Sequence, residues 1–212
     1  MTFPTLDACT TRALILMGAA GWGLLFITAD TLKQSRALFG IAKIVTTLTI
    51  GCLLLVPSPA EPWRLAAMAA GIVLGTLGDA FLLEPKRFFV AGLASFLVGH
   101  LAYIAGFWSP RWSVLPLVLL LAGGGSVLFA IRSQVGKLLA PVVAYMLVLT
   151  FMAWKAWNWS PFAGIGATFF VVSDGLIAID KFAAPVPARS LAINGTYWIA
   201  QALLVLGATG QG

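Results

Sequence analysis

Charged residues make up only 9% of this 212-residue chain, against 60% hydrophobic ones. So small a polar complement cannot cover a water-soluble domain, and lipid must solvate most of the protein. Cysteine occurs twice, at Cys9 in the polar N-terminal stretch and at Cys52 inside an apolar run. That usage fits neither a disulfide framework nor a metal-binding spacing. The single histidine, His100, cannot make the three-histidine zinc site of several membrane hydrolases. No G-x-S-x-G elbow occurs, and Ser173 beside Asp174 has no evident base, which argues against serine hydrolysis. Nor is any polar stretch long enough for a second, soluble domain. The net charge of +6 would suggest a nucleic-acid partner in a soluble protein, but the Lys and Arg residues sit singly or in pairs at the ends of apolar runs. They read as membrane flanks, and no basic patch for DNA or RNA is present.

What the chain does contain is apolar runs, at roughly 13–29, 37–56, 64–83, 88–107, 112–131, 138–157, 161–179 and 190–208. Each is near the about 20 residues that a helix needs to cross the hydrocarbon. The expected fold is all-α, a polytopic transmembrane bundle of about eight helices forming a single transmembrane domain over 1–212. The first run lacks a convincing small-residue cleavage site and reads as a retained helix. Pro57, Pro59, Pro85, Pro110, Pro161, Pro185 and Pro187 punctuate the connections. Loops after spans 1, 3, 5 and 7 carry Lys33, Arg36, Lys86, Arg87, Arg132, Lys137, Lys181 and Arg189, whereas the other side carries Arg12, Arg64, Arg111 and Lys155. This bias predicts both termini outside the cytoplasm of a bacterial cell (inner) membrane.

A short repeat is visible. Gly78-Asp79 is followed by Lys86 and Ser173-Asp174 by Lys181, the same offset in spans 3 and 7. With four spans per unit the halves would run in the same direction, a parallel duplication that would let the two Asp meet across a pseudo-symmetric interface.

Ionisable groups within the hydrocarbon cost about 2.5 to 3.5 kcal/mol on insertion scales, so they face the bundle interior and usually serve a purpose. Asp79 and Asp174 lie roughly 6 Å inside the ends of spans 3 and 7, Lys43 about 9 Å into span 2, and His100 near the middle of span 4. Asn194, Tyr197 and Gln201 share one stripe of span 8. Tyr145 in span 6 and Tyr103, one turn from His100, complete the set. Alternating helix directions bring the Asp, Lys43, Asn194 and Tyr197 to the side of loops 1, 3, 5 and 7, which predicts a polar pocket opening toward the cytoplasmic leaflet with His100 at its floor. The plainer alternatives are a snorkelling Lys43, Asp79 and Asp174 paired with Lys43 as helix glue, and His100 as an interhelical hydrogen-bond donor. Glu84 and Asp180 are expected to pair with Lys86 and Lys181, Trp154, Trp157 and Trp159 to form an interfacial belt, and Gly123-Gly124-Gly125 to serve helix packing.

Two carboxylates in a low-dielectric pocket can divide acid and base roles, which cleavage of an acid-labile ether requires. The ordered set Lys43, Leu77-Gly78-Asp79, Gly99-His100-Leu101-Ala102-Tyr103, Ala144-Tyr145, Ser173-Asp174 and Tyr197-Trp198-x-x-Gln201 resembles the YhhN-like lysoplasmalogenase family of eight-helix membrane proteins. The resemblance spans almost the whole chain. Ile44 departs from it, standing where many relatives have Pro. The resemblance implies hydrolysis of the vinyl ether bond of lysoplasmalogens to a fatty aldehyde and a glycerophospho-ethanolamine or glycerophosphocholine. Under it Asp79 and Asp174 act as acid and base with His100 assisting, and Lys43, Tyr103, Tyr145, Asn194, Tyr197 and Gln201 bind substrate, Lys43 facing the phosphate. The implied partners are a lysophospholipid substrate and membrane lipids, with no metal or organic cofactor demanded; oligomeric state is not legible. A lipid or small-molecule transporter and a non-catalytic accessory protein are the competing readings.

Overall fold

A computed structural model describes residues 6–31 and 36–210, without the side chains of Thr31, Arg36 and Ala37. Lys33, counted above for orientation, lies outside the described residues. Eight long helices carry the fold: α1 (Ala8–Thr31), α2 (Arg36–Gly51), α3 (Pro62–Phe81), α4 (Pro85–Gly106), α5 (Val114–Ile131), α6 (Leu139–Trp159), α7 (Pro161–Phe182) and α8 (Arg189–Ala208). A 3-10 turn over Cys52–Leu55 extends α2, another over Gly136–Leu138 leads into α6, and no strand occurs among the described residues. All eight spans are long and apolar enough to cross a membrane, as expected of an all-α integral membrane protein.

Proline sets three of the starts. Pro62, Pro85 and Pro161 occupy the first turn of α3, α4 and α7, where a missing N–H costs nothing. Ser160 caps α7 by accepting from the Ala163 amide. Helix α1 begins before the apolar run because Asp7 Oδ1 accepts from the Thr10 amide at 2.7 Å, a cap that carries residues 8–12 into the helix.

The closest pairings are α3 with α4 and α7 with α8, at corresponding places in the two halves of the chain. Glycine makes them close. A Cβ on Gly71 would lie 2.2 Å from the Tyr103 ring, and one on Gly207 would lie 2.5 Å from the Ala163 backbone nitrogen. The main buried cluster draws on every helix, from Phe26 in α1 through Ile50, Ile72, Phe96, Leu120, Met152 and Phe170 to Leu204 in α8.

Three expectations are corrected. Gly123 and Gly125 would carry a Cβ into open space, and Gly124 meets only Met146 and Thr150 at 3.7 Å, so the triple glycine is not the helix-packing seam. Helix α5 packs on α6 and α7 and shows Leu115, Leu119 and Phe129 outward. Trp154, Trp157 and Trp159 turn inward, their indole N–H groups bonding Ser113 O, Thr168 Oγ1 and Gly207 O; the exposed tryptophans are Trp22, Trp63, Trp108 and Trp112. Both neighbours and lipid are apolar, so hydrophobicity alone does not distinguish a packed tryptophan from a belt one. Asp180 pairs with Arg189 at 2.6 Å rather than with Lys181, because it also accepts from the Val186 amide and so ties down the connection into α8.

At the opposite end of the bundle the cations are absorbed by backbone. Arg64 donates to Gly106 O at 2.6 Å and lies over the Trp159 ring, while buried Lys155 donates to Ser109 O at 2.6 Å. Both satisfy carbonyls at or just beyond the C-terminus of α4, where positive charge is favourable.

Candidate active site

The residues singled out in the sequence fall into two polar sets. In the first, Lys43 Nζ on α2 lies 2.9 Å from Asp79 Oδ1 on α3. The Thr47 hydroxyl, one turn along α2, donates to Asp79 Oδ2 at 3.2 Å. The Tyr197 hydroxyl is directed at the same carboxylate and accepts from Gln201 Nε2 at 3.0 Å. Gln201 Oε1 in turn accepts from the Tyr103 hydroxyl at 2.6 Å. Four helices thus contribute to one chain of hydrogen bonds, and a chain without loose ends is what a dry interior requires.

The second set is smaller. The Tyr145 hydroxyl on α6 donates to Asp174 Oδ2 on α7, and His100 Nε2 on α4 lies 3.0 Å from the Tyr145 oxygen and 3.7 Å from Asp174 Oδ2. Since Tyr145 gives its proton to Asp174, its oxygen accepts, and Nε2 is assigned as the His100 donor. His100 Nδ1 is then the bare nitrogen, consistent with its having no partner among the described residues. His100 therefore orients Tyr145.

Two rings stand between the sets. Phe96 packs on His100 at 6.5 Å and on Tyr197 at 6.0 Å, and Phe170 packs on the same two rings at 4.8 and 5.3 Å. Phe96 lies one turn before His100 on α4, and Phe170 one turn before Asp174 on α7. The two Asp accordingly bond to different partners, and Lys43 joins only α2 to α3.

Their exposure differs too. The Asp79 side chain is 2% exposed and that of Asp174 11%, because Asp174 and Tyr145 form part of the wall of a cavity between α4, α5, α6 and α7. The rest of that wall is almost wholly apolar, with Leu93 and Phe96 of α4, Val127 of α5 and Leu149 of α6. A second cavity opens at the end of α2, α7 and α8, lined by Lys43, Asp180, Lys181, Arg189 and Asn194. Leu82, Phe89 and Ile177 belong to both walls, so an apolar chamber adjoins a charged mouth. Asn194 bonds Ser190 O of its own helix at 3.1 Å and belongs to the mouth rather than to either polar set. Among the described residues no three His, Cys, Asp or Glu side chains are grouped to share a metal ion.

Sequence reasoning missed Thr47, whose position four after Lys43 was a usable signal. It also missed Phe96 and Phe170, which no pattern separates from ordinary core.

The sequence profile of the YhhN family matches residues 35–208. The chain belongs to the YhhN family. Among curated YhhN relatives, lysoplasmalogenase TMEM86B of Homo sapiens is 34% identical over 203 residues, covering 95% of this chain and 88% of the relative. Lysoplasmalogenase TMEM86B of Mus musculus is 33% identical over 186 residues, with 87% and 80% covered. Lysoplasmalogenase TMEM86A of Bos taurus is 34% identical over 151 residues, with 65% and 63% covered. No solved structure gives a significant match.

Proposed function

We propose that this YhhN protein is a membrane-embedded hydrolase that cleaves the vinyl ether bond of lysoplasmalogens, with Asp174 as the acid that reaches the substrate. The names of its relatives support the reaction, and one observation supports the assignment: Asp174 is the carboxylate on the wall of an apolar chamber suited to a hydrocarbon chain. Hydrogen bonding from Tyr145 to Oδ2 leaves Oδ1 to carry the transferable proton.

Asp174 donates that proton to the β-carbon of the vinyl ether, and the electron pair of the double bond forms the new C–H bond. The α-carbon and ether oxygen become an oxocarbenium ion, which the newly ionised Asp174 stabilises at short range in a low dielectric. The same carboxylate then takes a proton from water as the water oxygen attacks the α-carbon, giving a hemiacetal and restoring the acid. Collapse of the hemiacetal breaks the bond to the glycerol oxygen, which takes up the hydroxyl proton, releasing aldehyde and alcohol. Tyr145 and His100 position Asp174. Asp79, neutralised by Lys43, ties α2 to α3 behind the aromatic partition, with Thr47, Tyr197, Gln201 and Tyr103 holding it in place. Asn194 and Lys43 line the mouth in which the head group lies.

The charged mouth lies at the ends of α2, α7 and α8, which this reading places in the cytoplasmic leaflet of a bacterial cell membrane with both termini outside. Labelling of Cys9, exposed near the N-terminus, by a membrane-impermeant maleimide in intact cells checks the orientation; labelling only after lysis would reverse it. The activity is tested by aldehyde release from a lysoplasmalogen in detergent or vesicles. Movement of the lipid without chemical change would favour transport instead.

A further inference from the structure

Five groups at the mouth bear charge or lie directly behind one that does. Lys43 is matched by Asp79 at 2.9 Å and Arg189 by Asp180 at 2.6 Å. Lys181 has no carboxylate partner among the described residues and rests with Nζ 4.0 Å from the centre of the Phe89 ring. Of the three lining cations, Lys181 is thus the one without a carboxylate partner among the described residues. An ammonium over an aromatic ring in a cavity wall gains only about 0.5 to 2 kcal/mol from the ring, and a charge-assisted bond to an anion readily competes with that.

The position of Lys181 is as informative as its charge. It follows Asp174 by seven residues on α7, so it lies two turns and roughly 10 Å along the same helix face. Ile177, between them, borders both cavities, as does Phe89 beneath the lysine ammonium. A single-chain molecule whose hydrocarbon fills the chamber, with its first polar atoms at Asp174, would carry its next polar group into the mouth. A glycerol phosphodiester has that layout: three carbons separate the ether oxygen from a phosphate whose one negative charge suits the Lys181 ammonium. Arg189 donates Nε to Asp180, and its terminal amino groups are the bidentate donors that suit a phosphate.

We propose that Lys181, aided by Arg189 and Asn194, forms a phosphate site that selects phosphodiester-bearing single-chain lipids over neutral ones of the same chain length. This rests on the hydrolase reading for the location of the scissile bond, but it concerns binding and is testable without turnover.

The probe is a saturated ether analogue, 1-O-hexadecyl-glycerophosphocholine, which has no vinyl ether to cleave. Its affinity for the full detergent-solubilised chain is measured beside those of 1-O-hexadecylglycerol and inorganic phosphate. The parent is expected to bind the phospholipid analogue roughly tenfold more tightly than the neutral ether, and inorganic phosphate far more weakly than either. Lys181→Gln should remove most of the tenfold preference while shifting affinity for the neutral ether less than about twofold, and Lys181→Arg should retain it. Equal affinity of the parent for both ethers, or equal weakening of both by Lys181→Gln, would overturn the proposal. Inorganic phosphate binding as tightly as the analogue would overturn the lipid assignment in favour of a free-phosphate site. Lysine-dependent binding in a protein that releases no aldehyde would leave the site standing and remove the hydrolase reading.

Discussion

Asp79 and Asp174 occupy matching places near the ends of α3 and α7, each followed by a lysine at the same offset, yet the fold treats them differently. Asp79 is sealed behind Phe96, with Lys43 and Thr47 on its two oxygens. Asp174 stands in the wall of a chamber, with Tyr145 as its hydrogen-bond donor and His100 behind that. The lesson is that equal depth in the membrane does not mean equal access. A carboxylate neutralised by an ammonium contributes to assembly, whereas one held by neutral donors beside a cavity is free to exchange a proton with a ligand.

The comparison breaks most easily at the two carboxylates themselves. Asp174→Asn should lower turnover by roughly 10²- to 10⁴-fold with little change in thermal unfolding, as measured by aldehyde release and a melting curve on the same preparation. Asp79→Asn should act mainly on stability, because it leaves the largely covered Lys43 without its partner, a loss of up to about 3 kcal/mol. Adding Lys43→Met to that variant should recover much of the melting temperature. A double variant no more stable than Asp79→Asn would contradict the assembly role.

Smaller changes sharpen the contrast. Tyr145→Phe removes the donor to Asp174 and should reduce turnover roughly tenfold to a hundredfold, whereas Thr47→Val beside Asp79 should affect melting more than rate; equal rate losses from the two would mean that both carboxylates serve the reaction alike. The smallest test uses the adjoining glycines. An Ala at Gly78 would put a Cβ 2.5 Å from the Phe96 ring, but at Gly175 it would meet Val127 at an ordinary 3.5 Å. Gly78→Ala should lower the melting temperature by displacing the partition, and Gly175→Ala should leave it nearly unchanged. The reverse order would place the tightly packed carboxylate on α7.

Much of this was legible before the structure, for physical reasons. Eight spans follow from the length of the apolar runs, since lipid leaves the backbone no alternative to helices or closed barrels. Lys43, Asp79, His100 and Asp174 stood out because ionisable groups are costly in hydrocarbon. What remained hidden depended on facing. Trp154 packs inward and Trp112 outward although both are apolar residues near a span end. Gly123 and Gly125 of α5 look out into space while Gly71 and Gly207 make the close contacts. Separation of the carboxylates depends on Phe96 and Phe170, whose identities differ in nothing from those of core residues elsewhere.

The central claim is that Asp174 protonates carbon, and the most direct measurement is hydrolysis of a lysoplasmalogen in D₂O with immediate trapping of the aldehyde, for the parent and for Asp174→Asn. Protonation by Asp174 gives aldehyde from the parent carrying one deuterium at the carbon next to the carbonyl, and essentially none from the folded variant. Aldehyde without that deuterium, or release by Asp174→Asn at the parent's rate, would contradict it.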